Sequence, residues 1–354
     1  MTRLAVGEAL AVRLYAAESA IDQALIETAT LAAALPAARA DAWLSAVAGQ
    51  RAFAGTAATI SAHPEREMDA LRRAAHYLLD TRLMTAWPEA LMKSIAGEGF
   101  HVIRFDNRDI GKSQYLDHLG VPDVMAAMGS LMTGIPFAGA PYTLNDMAKD
   151  AAELLGALNI RNAHIVGASM GGMIAQLVAI NHPGVTRSMT SIMSTTGNPA
   201  MPQATPEAMT ALITPPADTS RETRIAHGMK MIRAIGSPGN LAATEEELKV
   251  TVTAAVDRAP YHPEGISRQL CAILASPPRN AMLKNLRMPA MVLHGIDDPL
   301  VRVEAGRDTA ASIPGCRLVE VPGMGHDFSN ALVPIYHKHL SAFLKDAESR
   351  AKAA

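Results

Sequence analysis

The chain has 354 residues, enough for one large or two ordinary domains at about 150 residues each. Hydrophobic residues make up 49% and charged residues 19%, which excludes a disordered chain. Its 32 Lys and Arg against 34 Asp and Glu give no basic excess to attract nucleic-acid phosphates.

The N-terminal stretch MTRLAVGEALAVRLYAAES is broken by Glu8, Arg13 and Glu18 and has no signal-peptide core. No apolar run approaches the roughly 20 residues of a membrane span. Two cysteines, Cys271 and Cys316, cannot build a disulfide framework. A cytoplasmic protein with no nucleic-acid or membrane partner is the expectation.

Residues 1–83 hold 25 alanines and show no evident strand. Leu14, Ala17, Ile21, Leu25, Thr28 and Leu35 follow the spacing of an amphipathic helix that Pro36 ends. Residues 39–61 suit a second helix, and Pro64 with Glu65, Glu67 and Asp69 opens a third. This segment reads as a helical unit that covers a sheet edge or joins copies of the chain into a homo-oligomer.

From residue 84 the pattern changes. HVIRF (101–105), HIVGA (164–168), SMTSIM (188–193), AMVLH (290–294) and RLVEV (317–321) alternate with helical patterns near 87–97, 144–158, 170–181, 303–312 and 331–347. Apolar strands alternating with helices predict an α/β fold with a mostly parallel, doubly wound sheet. Residues 196–285, rich in Met and Pro, interrupt the alternation as a helical insertion. The expected organisation is a helical segment 1–83, a core in two parts (84–195 and 286–354), and a helical cap, 196–285.

Gly167-Ala168-Ser169-Met170-Gly171 lies between the strand HIVGA and the helix GMIAQLVAI. This is the pattern of a nucleophile elbow, where a serine is exposed on a sharp strand-to-helix turn. Ser169 would stand at the helix N-terminus, which favours developing negative charge. The Met170 N–H is placed to donate to an oxyanion. A serine nucleophile needs a base, and the base an orienting acid. Asp298 follows the strand AMVLH and His326 follows RLVEV, so both sit past strand ends, where open α/β sheets carry their sites. Asp298 is the expected acid, with Asp297 as the alternative. Gly323 and Gly325 suit a tight loop that aims His326.

Weaker patterns carry less. Gly111-Lys112-Ser113 is not a phosphate loop, because Asp106 stands where the first glycine belongs. FDNRDIGKS reads as a turn-rich loop held by local charge pairs. His294, closing a strand, reads as structural. No cysteine–histidine cluster has zinc spacing, so no metal or other cofactor is expected.

HVIRFDNRDIGKS, GASMGGMIAQ, SIMSTTGNP and PGMGHDF resemble the α/β-hydrolase fold superfamily, and more narrowly the aclacinomycin methylesterase-type bacterial serine hydrolases. The resemblance spans roughly residues 84–345. It implies Ser169 as nucleophile, His326 as base, Asp298 as acid, and residues 196–285 as a cap over the site. Such enzymes take a second oxyanion donor from a glycine-containing loop after an early strand. The matching stretch here, HYLLDTRLM, has no glycine and no clear strand, which would bring that donor from near Leu79 or Asp80. The expected function is a serine esterase acting on a small-molecule ester. The alternative is a rearranged, weakly active or inactive relative whose N-terminal helices mediate assembly.

Overall fold

A computed structural model describes residues 13–15, 75–81, 87–133 and 137–353. Strand β1 is Arg13–Tyr15 and β2 is Ala75–Thr81. The five apolar runs read from the sequence follow as β3 (Phe100–Asp106), β4 (Ala163–Ala168), β5 (Thr186–Ile192), β6 (Ala290–Gly295) and β7 (Arg317–Val321). Among the described residues they form one sheet in the order β1-β3-β2-β4-β5-β6-β7. Only β1 is antiparallel to its neighbour; the other pairs are parallel. Strands β3, β4 and β6 are buried along their whole length, which explains their continuous apolar sequences. Edge strand β7 alternates instead, with Arg317, Leu318 and Glu320 exposed and Val319 and Val321 buried.

Helices cover both faces. On one face α1 (Glu89–Ala96) buries Leu91, Met92 and Ile95. They join Trp87 and the β-residues Val102, Val166, Ile192 and Leu293 in one apolar cluster. Tyr336, Leu340 and Phe343 of the last helix in the chain complete it. After the short helix α2 (Val124–Thr133) comes α3 (Leu144–Ala157), opened by a capping box of Thr143 and Asp146. Together with α4 (Met170–Asn181) it covers the other face around Ile103, Ile165 and Met189.

Two stretches differ from the sequence reading. Leu14, read as the start of a helical stripe, lies in β1, and residues 75–81 of the segment read as strandless form β2. The cause is non-local. β2 lies inside the sheet, paired with β3 over all seven of its residues and with β4 from His76 to Asp80. Pairing on both sides overrides the helix-forming neighbours that precede it. β1 covers the far edge of β3, opposite Val102 to Arg104. The helices expected in residues 16–74 lie outside the described residues.

The insertion between β5 and β6 is helical, as expected. It comprises α5 (Pro206–Ile213), α6 (Arg221–Ile235), α7 (Glu245–Arg258), α8 (Pro263–Leu274) and α9 (Asn280–Leu283). It has two parts. Met229, Leu248 and Val252 of α6 and α7 form a small cluster of their own, whereas Ala272 of α8 and Leu283 of α9 belong to the main core. After β6 the chain runs through α10 (Val303–Ala311), β7 and α11 (Val333–Ala353).

Candidate active site

The ends of β4, β6 and β7 bring together the three residues that the sequence singles out. Ser169 follows β4 with φ 56° and ψ −120°, a conformation L-residues rarely adopt. The surrounding glycines make that turn possible. A Cβ on Gly167 would stand 1.9 Å from the Gly171 carbonyl oxygen, and one on Gly172 would stand 2.5 Å from Ser194 Cβ. The turn is held by the Ser169 N–H on the Ile192 carbonyl (2.9 Å) and by the Ser194 hydroxyl on the Ser169 carbonyl (2.7 Å). Ser169 is half-buried, which leaves its hydroxyl reachable.

His326 joins the other two residues. Its Nε2 lies 2.9 Å from Ser169 Oγ and its Nδ1 lies 2.7 Å from Asp298 Oδ2. A carboxylate can only accept, so the proton on Nδ1 leaves Nε2 free to accept from the serine. Asp298 is fully buried, and its Oδ1 accepts the N–H groups of Leu300 (2.9 Å) and Val301 (2.8 Å). These bonds fix the carboxylate while its other oxygen faces the histidine. Asp297 is exposed and turned away; its Oδ2 accepts the Gly323 N–H at 2.7 Å.

His294 lies behind the acid. Its Nε2 donates to the Val301 carbonyl at 2.7 Å and stands 3.6 Å from Asp298 Oδ2. Burial pushes its pKa down. That keeps the ring neutral, so it adds no charge beside the carboxylate. The sequence assigned His294 a structural role, and this contact to Asp298 is the addition.

Met170 is the first residue of α4, where a helix N–H has no intrahelical acceptor. Asp80 lies within β2, one residue before its end, in register with Gly167 on β4 and Phe105 on β3. The backbone of Asp80 therefore reaches the same end of the sheet as the elbow. Sequence reasoning assigned no role to Ser194 or Asp327, although SIMSTTGNP and PGMGHDF contain them, and nothing marked Ser237, which donates to Asp327 beside the histidine.

The loop FDNRDIGKS is held by charge, though by distant partners more than local ones. Arg268 of α8 donates from Nε and Nη2 to the Asp109 carboxylate, both at 2.8 Å, and Arg258 of α7 reaches Asp106 at 2.5 Å. Arg108 donates twice to Asp150, at 2.6 Å each. Asp109, Asp117 and His262 converge closely enough to suggest a metal site. Arg268 already supplies the positive charge there, bonding both carboxylates.

Comparison with known proteins places the chain in a family. A rhodomycin D methylesterase from a Streptomyces species, strain C5, is 27% identical over 280 residues, covering 73% of this chain and 84% of its own. A pimeloyl-[acyl-carrier protein] methyl ester esterase from Chromobacterium violaceum is 27% identical over 201 residues, covering 55% and 75%. Among solved structures, an enol-lactonase from Burkholderia xenovorans matches with a TM-score of 0.55 at 18% identity, over 77% of this chain and 92% of that one. Among the described residues no helix is long and apolar enough to cross a membrane. A sequence model of the alpha/beta hydrolase fold matches residues 79–329, from β2 through the histidine loop, and the chain belongs to that family.

Proposed function

We propose that this protein is a serine hydrolase that cleaves a carboxylic ester through an acyl-enzyme, with Ser169 as nucleophile, His326 as base and Asp298 as orienting acid. The observation that carries the reading is His326 standing 2.9 Å from Ser169 Oγ and 2.7 Å from Asp298. Ser169 Oγ attacks the ester carbonyl as His326 Nε2 takes its proton. Asp298 stabilises the imidazolium that forms. The Met170 N–H and a backbone N–H near Leu79 or Asp80 hold the negative oxygen. Collapse expels the alkoxide, which leaves with the proton from His326. Water then attacks the acyl-enzyme, giving up a proton to His326, and the carboxylic acid departs as His326 returns that proton to Ser169 Oγ. None of these steps calls for a cofactor. The α6–α7 part of the insertion caps the site and selects the ester.

Two of the matched relatives are named for methyl esters, so methyl esters of bulky acids are the first substrates to try. The test is hydrolysis of a chromogenic short-chain ester and of such methyl esters, wild type against Ser169→Ala. Removing the nucleophile is expected to lower kcat by about 10⁴- to 10⁶-fold. A Ser169→Ala protein as active as wild type overturns the reading. The absence of glycine around Asp80 favours a second reading, a weakly active member. An intact triad with one oxyanion donor missing costs about 10²–10³ in rate, and the same assay measures that deficit.

A further inference from the structure

The histidine loop has two owners. Residues 323 and 324 are held by the core: Asp297 Oδ2 accepts the Gly323 N–H, and the Asp297 N–H donates to the Met324 carbonyl at 3.1 Å. From Gly325 onward the inserted helices take over. The Gly325 N–H donates to Ser237 Oγ at 2.8 Å, and the His326 N–H donates to the Ile235 carbonyl, the end of α6, at 2.8 Å. Asp327 Oδ1 accepts both the Ser237 hydroxyl (2.6 Å) and the Ser237 N–H (3.1 Å). Further along, the Ser329 hydroxyl donates to the Leu241 carbonyl at 2.6 Å.

The approach is backbone against backbone. A Cβ on Gly325 would lie 2.4 Å from the carbonyl carbon and oxygen of Gly236. Ser237 is 6% exposed and Asp327 8%, so neither exchanges its partner easily for water. From the core side, the buried Tyr336 hydroxyl donates to the Asp327 carbonyl at 2.9 Å.

We infer that Ser237 of the inserted segment and Asp327 beside the histidine are a positioning pair for the proposed hydrolysis, setting the His326 ring between Ser169 and Asp298. The inference rests on the function proposed above. One hydroxyl serves both neighbours of the histidine, accepting from Gly325 before it and donating to Asp327 after it. Only a side chain that both donates and accepts can do this. Burial raises the Asp327 carboxyl, and the bonds from Ser237 oppose that rise. The inserted segment thus contributes to proton transfer as well as to covering the substrate. Displacing a catalytic group by about 1 Å can cost on the order of 100-fold.

The test compares Ser237→Ala with Ser237→Thr and Asp327→Asn in the full chain. Two rates are read: turnover of a short-chain chromogenic ester, and labelling of Ser169 by a small fluorophosphonate, which needs an activated serine but no ester-binding cover. Ser237→Ala is expected to lower kcat and the labelling rate by the same factor, roughly 5- to 50-fold, with KM within about twofold. Ser237→Thr keeps the hydroxyl, and Asp327→Asn keeps the accepting oxygen, so both should recover to within about threefold of wild type. Circular dichroism checks folding. Should Ser237→Ala fail to fold, Ser237→Cys, which weakens both bonds at similar volume, reads the same two rates. An unchanged labelling rate in Ser237→Ala, or a change in KM alone, overturns the pair and leaves the segment as a cover. A wild-type protein whose Ser169 is not labelled overturns the proposed function and the pair together.

Discussion

The sheet and the inserted helices are held by different interactions. The sheet is an apolar sandwich in which β3, β4 and β6 are buried throughout, between clusters built on Ile103 and Ile165 on one face and Val102 and Val166 on the other. The α6–α7 pair has a cluster of only Met229, Leu248 and Val252 as its buried members. The insertion is fastened to the loops at the strand ends by directed polar clamps: Arg268 on Asp109, Arg258 on Asp106 and Ser237 on Asp327. Apolar burial is non-directional. A buried ion pair demands its geometry and fails abruptly when one partner is lost. The directed contacts therefore gather at the boundary between the two regions.

The largest stability effect should come from breaking that boundary. Arg268 and Asp109 are both fully buried, and Arg268 also donates from Nη1 to the Gly120 carbonyl at 2.8 Å. Arg268→Ala leaves the Asp109 carboxylate buried and unpaired, which is expected to cost about 3–5 kcal/mol. Arg268→Lys keeps the charge, loses the two-pronged contact, and should recover only part of that. Burial alone would raise the Asp109 carboxyl, but the hydrogen bonds from Arg268 and the Leu116 N–H outweigh it and hold it below its usual value. Its contribution is therefore complete above the unfolded value, about pH 4, and is lost only as pH falls further. Urea unfolding at pH 7 measures the change. A loss under about 1 kcal/mol for Arg268→Ala would mean that the clamp is decorative.

A matched pair of leucines sharpens the comparison. Leu144 of α3 is fully buried in the main core, and Leu248 of α7 is 3% exposed in the small cluster. Leu144→Ala should cost about 2–5 kcal/mol, because the rigid sandwich cannot collapse into the cavity. Leu248→Ala should cost nearer 1–2 kcal/mol, because a cluster with three buried members has fewer neighbours and relaxes more completely. Equal losses in thermal unfolding would show that α6 and α7 carry a core as unyielding as that of the sheet.

This contrast also explains what the sequence revealed. The buried strands announce themselves as continuous apolar runs, and the elbow as glycines flanking Ser169, because close packing admits few alternatives there. Asp298 and His326 were legible from their places just past strand ends. β2 was not legible. AHYLLDT is short and follows the helix-favouring EREMDALRR, and its strand state comes from β3 and β4 on either side. The clamps were hidden for the same reason. Ser237 and Asp327 are 90 residues apart and Asp109 and Arg268 are 159 apart, so no local pattern links either pair.

A pH-dependent effect lies in the sheet, at the end of β4 away from the elbow. His164 is the second residue of that strand and is fully buried. Its Nδ1 meets the Ser188 hydroxyl at 2.7 Å and its Nε2 meets Glu348 of α11 at 2.9 Å. Burial pushes its pKa down to about 4, against the opposing pull of Glu348. The unfolded chain protonates this histidine near pH 6.5, before the folded one does. Its contribution is therefore full above about pH 6.5 and declines as pH falls toward 4, by about 1–3 kcal/mol in all. His164→Gln removes the titration. Its stability should fall less steeply than that of wild type between pH 6.5 and 4, even if it is lower at pH 7. Ester hydrolysis at pH 7 should be unchanged, because His164 stands at the opposite end of the strand from Ser169. Parallel stability curves for the two proteins would mean that His164 does not titrate in this range. A change in turnover would mean that the sheet transmits strain from this end of β4 to the elbow.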